Sequence, residues 1–164
     1  MVSNQVSSSR RALDVAMGRG RHAFLLAAEG FRTFGVDSRL EVIVDAVRQA
    51  RAAGVELHAW CADLTMPALP RGRFDLVVVT RYLERDLCPV LVESIAPGGF
   101  LLYETFTELQ KGRGRGPQSP EHLLRIGELR TRFAELDEIF YEELTDPADD
   151  ALARLAARKR RSPS

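Results

Sequence analysis

Apolar residues in this chain fall in short blocks punctuated by glycine and proline, and the spacing inside the blocks switches between strand-like and helical periods. Residues 12–16 form an apolar run holding one acid, Asp14. After Gly18 and Gly20, Ala23, Phe24, Leu26 and Ala27 recur at helical spacing up to Gly30, so strand, glycine turn and helix are predicted in succession. Residues 31–36 predict a second strand. Ser38 and Glu41 form a capping-box pair ahead of Leu40, Ile43, Val44 and Val47, with Gly54 as the stop. Residues 55–61 predict a third strand, and FDLVVVT at 74–80 is apolar on both faces, as a central parallel strand requires.

Pro89 fits only the first turn of a helix, which predicts Asp86 as cap, a helix to about Ala96 and a loop at 81–85. Pro97-Gly98-Gly99 predicts a turn into a strand at 100–105, and the aperiodic QKGRGRGPQSP at 110–120 predicts a mobile loop. A helix near 128–135 and strands near 138–144 and 151–157 follow. The last two strands leave no room for a helix between them, so they should form an antiparallel hairpin at a sheet edge. The fold class is α/β: a doubly wound sheet of seven strands, mostly parallel, with its ligand crevice at the carboxyl ends of the strands.

Length and charge narrow the function. At 164 residues the chain fits one domain, with a flexible start at 1–10, a mobile segment within 106–126 and a basic tail at 158–164. Its 23 Lys plus Arg balance 23 Asp plus Glu, which removes the electrostatic case for a general nucleic-acid or membrane-surface binder. No apolar run is long enough to span a bilayer and the start lacks a signal core, so a soluble cytoplasmic protein is expected. Cys61 and Cys88 have no disulfide or zinc spacing, and His22, His58 and His122 are scattered, so no metal site is predicted.

Gly18-Arg19-Gly20-Arg21-His22-Ala23 satisfies G-x-G-x-x-A after a strand, and Asp37 closes the second strand, where it can accept from two ribose hydroxyls. Glycines of this kind can also serve a plain tight turn. Asp14, just before the turn, would repel a pyrophosphate but attract an ammonium group, which disfavours a nicotinamide dinucleotide. Asp63 and Leu64 follow the third strand, where a carboxylate can accept from an adenine amine.

Taken in order, LDVAMGRGRHAFLLA, FGVD, CADL, FDLVVVTRYL and APGGFLLYETF resemble the successive motifs of class I S-adenosylmethionine-dependent methyltransferases. The likeness is strongest to the tellurite-resistance and thiopurine-type small-molecule branch. It implies a Rossmann-like sheet and S-adenosyl-L-methionine as cofactor, with Asp14, Gly18 and Gly20 around the methionine moiety and Asp37 on the ribose. It also implies Asp63 and Leu64 at adenine, Thr80 and Arg81 beside the amino-acid end, and Ala16 and Ser38 completing the set. Two departures stand out. Ala16 replaces the family's first glycine and Met17 stands where cysteine is common. Only 10 residues precede the first strand, where relatives carry a covering helix, so an open site, a swapped one or one covered by 106–126 is expected.

The resemblance implies methyl transfer to a small-molecule acceptor by in-line displacement, in which the protein mainly aligns the nucleophile. Candidates for catalysis are Arg81, Tyr82 and Asp86, with Glu84, Tyr103 and Glu104 nearby; Asp86 also reads as a helix cap and His22 as a packing residue. Arg113 and Arg115 could meet an anionic acceptor or simply be solvated. No nucleic-acid partner is expected, and a homodimer covering an open site is consistent with the sequence without being specified by it. Two other readings stay open: a cofactor-binding protein without transferase activity, and a nicotinamide-dependent reductase, the latter weakened by the absence of a Tyr-x-x-x-Lys motif.

Overall fold

The computed structural model describes residues 10–161. Seven strands form one sheet: β1 (Arg11–Val15), β2 (Arg32–Asp37), β3 (Leu57–Cys61), β4 (Phe74–Thr80), β5 (Ile95–Phe106), β6 (Asp137–Glu143) and β7 (Leu152–Arg158). Their order is β3-β2-β1-β4-β5-β7-β6, and β7 alone runs antiparallel to both of its neighbours. The expected edge hairpin is therefore present, with the chain's last strand inside the sheet and β6 at the edge. Helices α1 (Arg21–Ala28) and α2 (Leu40–Ala52) cover one face of the β1–β2–β3 half; α3 (Leu87–Ser94) and the short α4 (Glu128–Arg132) pack on the other face.

The main core lies on the α3 side. Leu13, Val15, Val77, Val79, Leu101 and Leu155 meet Leu87 and Leu91 of α3 and Leu129 of α4 there. Leu91 is fully buried, and each such side chain contributes roughly 1.5–3 kcal/mol of transfer free energy. On the α1–α2 side, Ile43, Ala46 and Ala50 make a stripe at the i, i+3, i+7 positions of α2 and pack with Ala23 and Met17. Leu40 and Val44, expected in that stripe, are exposed instead. Gly54, at φ 69°, ends α2: its N–H reaches the Arg51 carbonyl and the Val55 N–H reaches the Ala50 carbonyl, a Schellman stop.

Several local expectations need correcting. The Ser38–Glu41 capping box does not form: Arg39 is the N-cap, without a side-chain cap bond, and its N–H goes to Asp37 Oδ1 at 3.0 Å. The strand-ending acid, two residues upstream, closes an Asx turn on the N-cap residue and leaves the first turn of α2 without a side-chain cap. Asp86 does precede α3 but makes no cap bond. That helix stops at Ser94, and Pro97-Gly98-Gly99 lies inside β5 as an irregularity in its ladder with β4 rather than as a turn before it. Gly98 adopts φ 81° and donates to the Lys159 carbonyl, while the Lys159 N–H returns to Gly99, so β7's continuation stitches the irregular stretch into the sheet.

The segment predicted as a mobile loop is anchored. Arg113 donates to the carbonyls of Leu109, Asp146, Thr145 and Asp149, Arg115 pairs with Asp150 at 2.8 Å, and Gln110 is fully buried with its amide on Arg115, Asp150 and the Ala151 N–H. These partners lie more than 30 residues downstream for the most part, which is why periodicity could not reveal them. The basic tail is likewise partly docked: Lys159 Nζ donates to the Val92 and Ile95 carbonyls at 2.7 and 2.9 Å, at the end of α3. The start, residues 1–9, and residues 162–164 lie outside the described part.

Candidate functional site

The carboxyl ends of β1, β2 and β4 meet around the glycine turn. After Val15 the chain leaves β1 through Ala16 at φ 53°, Gly18 at φ 53° and Gly20 at φ 81°. The left-handed backbone costs an alanine about 1–2 kcal/mol relative to the right-handed region, so Ala16 carries strain that the family's glycine would avoid. Arg81, leaving β4, has the same φ of 53°, and its N–H is held by the Glu104 carbonyl at 2.8 Å. Both strained non-glycine residues sit at carboxyl ends of the central strands.

Three bonds lock the turn. Met17 N–H donates to the Val36 carbonyl at 3.0 Å, Gly20 N–H to the Met17 carbonyl at 2.9 Å, and Gly18 N–H to Asp37 Oδ2 at 2.9 Å. A β-carbon at Gly18 would meet nothing within 4 Å, so open space lies beside this glycine. Met17 points the other way: a β-carbon at Gly35 in β2 would lie 2.1 Å from its sulfur. Met17 and Gly35 are thus a matched pair, with the Met17 thioether packed against β2.

Asp14 is buried, and its Oδ2 accepts the Ala23 N–H at 3.0 Å, which ties β1 to the first turn of α1. Burial drives its carboxyl up to about 7, opposed by the Ala23 bond and reinforced by the nearby Asp37 charge. Asp37 is nearly buried as well, and divides its oxygens between Gly18 and Arg39. Asp63 is exposed and closes an Asx turn on Thr65 through its N–H at 2.9 Å and hydroxyl at 2.7 Å, which holds its carboxyl below the usual range. Leu64 is buried in the main core. Ser38 lends its carbonyl to the Cys61 thiol at 3.4 Å.

Tyr82 stands where these acids converge. Burial raises its phenol, followed by the charges of Glu84, Asp63 and Asp37, so it remains a protonated donor at neutral pH. The buried Tyr103 hydroxyl donates to the Tyr82 carbonyl at 2.8 Å and fixes that backbone. Arg81 turns toward Asp150 at 3.3 Å and lies over the Phe106 ring at 5.3 Å, while Asp86 is exposed at the start of α3. Arg81, Arg113 and Arg115 therefore all converge on the 145–150 segment, engaged there while Arg81 and Arg115 stay partly solvated.

Sequence reasoning assigned His22 to packing and missed Arg154. His22 Nδ1 lies 3.2 Å from Thr80 Oγ1, and burial followed by the neighbouring Arg21 charge keeps the imidazole neutral. Beside it Arg154 bridges Glu104 at 2.6 Å and Glu142 at 2.9 Å, on one register row of β5, β7 and β6. His22, Thr80, Glu104 and Arg154 form the polar end of a 310 Å³ groove lined also by Val78, Leu102, Ala156 and Phe140. Leu102 and Phe140 are about half exposed because no helix lies over this part of the sheet among the described residues. Only the alternation in β5 and β7 could have signalled this row, and it does not reveal which strands pair.

Residues 12–99, more than half of the chain and running from within β1 into β5, match the family described as "Methyltransferase domain". The chain belongs to the methyltransferase-domain family. This membership sets aside the reductase reading. Among curated proteins, this methyltransferase-domain chain is similar to a protein-L-isoaspartate O-methyltransferase of Stenotrophomonas maltophilia, 31% identical over 93 residues; the match takes in 57% of this chain and 41% of the relative, well under half of its length. Among solved structures it is similar to TehB from Haemophilus influenzae, with TM-score 0.77, 18% identity, and coverage of 94% of this chain and 59% of that one. An S-adenosylmethionine-dependent methyltransferase from Mesorhizobium loti gives TM-score 0.71 and 18% identity over 91% of this chain and 90% of that one.

Proposed function

We propose that this protein binds S-adenosyl-L-methionine in the crevice beside Gly18 and transfers its methyl group to a small-molecule acceptor by in-line displacement. The observation that carries the reading is the glycine turn of a methyltransferase-domain chain, latched to Asp37 and open at Gly18. When bound, the cofactor supplies an electrophilic methyl on a sulfonium, whose carbon–sulfur bond breaks with its electron pair going to sulfur. The chain's part is alignment and charge.

Gly18 and Gly20 let backbone approach the methionine moiety, Ala16 and Ser38 border it, and Asp37 takes the ribose, exchanging its Gly18 or Arg39 bonds for hydroxyls. Asp63 takes the adenine side with Leu64 as backing from the core, and Thr80 with His22 lines the amino-acid end. Tyr82 donates to the acceptor. Arg81, held by Asp150, shapes the backbone after β4 rather than binding an anion, and Asp86 serves the helix start.

Calorimetry with S-adenosylmethionine and S-adenosylhomocysteine tests the cofactor assignment, with nicotinamide dinucleotides for comparison. Micromolar binding weakened about a hundredfold in Asp37→Ala is expected, the loss of two hydrogen bonds to a charged group. A cationic ligand near Asp14 favours its carboxylate form, so binding near pH 7 should release protons, seen as a heat that varies with buffer ionisation enthalpy. Cofactor binding without turnover on thiol, amine and metalloid acceptors would identify a binding protein lacking transferase activity instead.

A further inference from the structure

A second groove lies away from the glycine turn, at the β3 edge of the sheet, with Phe34, Trp60 and Phe74 from the α3 side and Val47, Leu57 and Ala59 from the α2 side in its walls. In a parallel sheet each crossover normally lays a helix on the strands it joins. The connection from β3 to β4 is helix-free, so Phe34 and His58, paired in register on adjacent strands, keep a face without helical cover. The groove measures about 840 Å³, within the range of small-molecule sites. Its floor is aromatic: the Phe34 and His58 rings stack at 5.1 Å with an interplanar angle of 27°, Phe74 meets Phe34 edge-on at 5.6 Å, and Trp60 lies alongside.

The rim is cationic. Arg11 and Arg73 line the groove and Arg32 lies over the Phe34 ring at 5.6 Å, and among the described residues none of the three forms a salt bridge. The local acids are otherwise directed: Asp75 accepts the Arg11 backbone N–H at 2.8 Å, and Glu56 is mostly exposed. His58 Nε2 is a buried atom that lacks a hydrogen bond, although Glu56 Oε1 lies 2.8 Å away, because the geometry is not that of one.

We propose that this groove binds a planar aromatic carboxylate, its rings laid along Phe34, His58 and Trp60 and its anion met by Arg73 and Arg11. Flat rings match the stacked floor, and a carboxylate matches the paired donors of a guanidinium. The site is separate from the methyl-transfer crevice and does not depend on that assignment.

Trp60 is the only tryptophan, so its emission reports on this groove directly. The probes are 2-naphthoate and its neutral counterpart 2-naphthamide, titrated into the whole protein with and without S-adenosylhomocysteine, with calorimetry in parallel. Saturable quenching by naphthoate, unaffected by S-adenosylhomocysteine and about tenfold weaker for the amide and for the exposed-site variant Arg73→Gln, is the expected result. Ala68→Phe, which narrows the groove from an exposed loop position, should weaken naphthoate further. Absence of saturation, equal binding of acid and amide, displacement by S-adenosylhomocysteine, or a dimer in which Trp60 is already shielded from the probe would each overturn the proposal.

Discussion

The two halves of the sheet are held together by different chemistry. Around β1, β2 and β3 the contacts that set the glycine turn are short-range in space and nearly all involve backbone: Asp14 on Ala23, Asp37 on Gly18 and Arg39, Met17 on Val36. Around β5, β6 and β7 the contacts are arginine–carboxylate pairs, most of them between distant parts of the chain. Arg154 joins Glu104 to Glu142, Arg85 and Arg132 close on Glu128, and Arg81 and Arg115 close on Asp150. One half is built to hold amides in a fixed cradle. The other is held by ion pairs between side chains, one of which, Arg154–Glu104, lines the groove on β5 and β7.

The sharpest way to break the first half is Gly35→Ala. The new methyl would lie 2.1 Å from the Met17 sulfur, and relieving that overlap should cost about 1–3 kcal/mol in denaturant unfolding; adding Met17→Ala should return part of it, whereas additive losses would rule out the pairing. In the second half, Glu128→Gln removes the anion that accepts from Arg85, Arg132 and the Arg125 N–H, for an expected loss of about 2 kcal/mol.

The halves should also answer pH in opposite directions. Burial pushes the Glu128 carboxyl up, but its arginine and backbone hydrogen bonds outweigh this and hold it at about 2, so its stabilisation is full above pH 4.5 and is lost as pH falls toward 2. Asp14, raised to about 7, stabilises when protonated, below its usual 3.8, and that contribution is lost as pH rises through 7. Thermal melts between pH 4 and 8 should therefore flatten in Asp14→Asn, which keeps an acceptor for Ala23; an unchanged slope would exclude Asp14 as its source. The smallest effect is expected for Ala16→Gly, a gain of up to about 1 kcal/mol from relieved left-handed backbone, partly offset by glycine's extra freedom when unfolded.

The same contrast explains what the sequence could disclose. Strand-turn-helix order, the parallel centre and the antiparallel hairpin follow from periodicity and turn residues, which act over a few positions. Asp37 at the end of β2 and the glycines at 18 and 20 were readable for that reason. Gln110, buried with Asp150 and Ala151, was not, nor was the His22–Thr80 contact across 58 residues, because nothing local encodes which distant partner a polar side chain will meet. Leu64, by contrast, packs its apolar side chain into the core, as a leucine is expected to.

The position of β7 has a consequence for how the protein is made. It is the last strand in chain order, yet it lies between β5 and β6, so β5, already paired with β4, keeps its other edge open and β6 stays unpaired until residues 152–158 have emerged. At roughly 5–20 residues per second the β5 edge waits some seconds with open amides. During that interval the nascent chain presents a hydrophobic strand edge to the cell, and its yield should depend on how quickly translation of that stretch ends the wait.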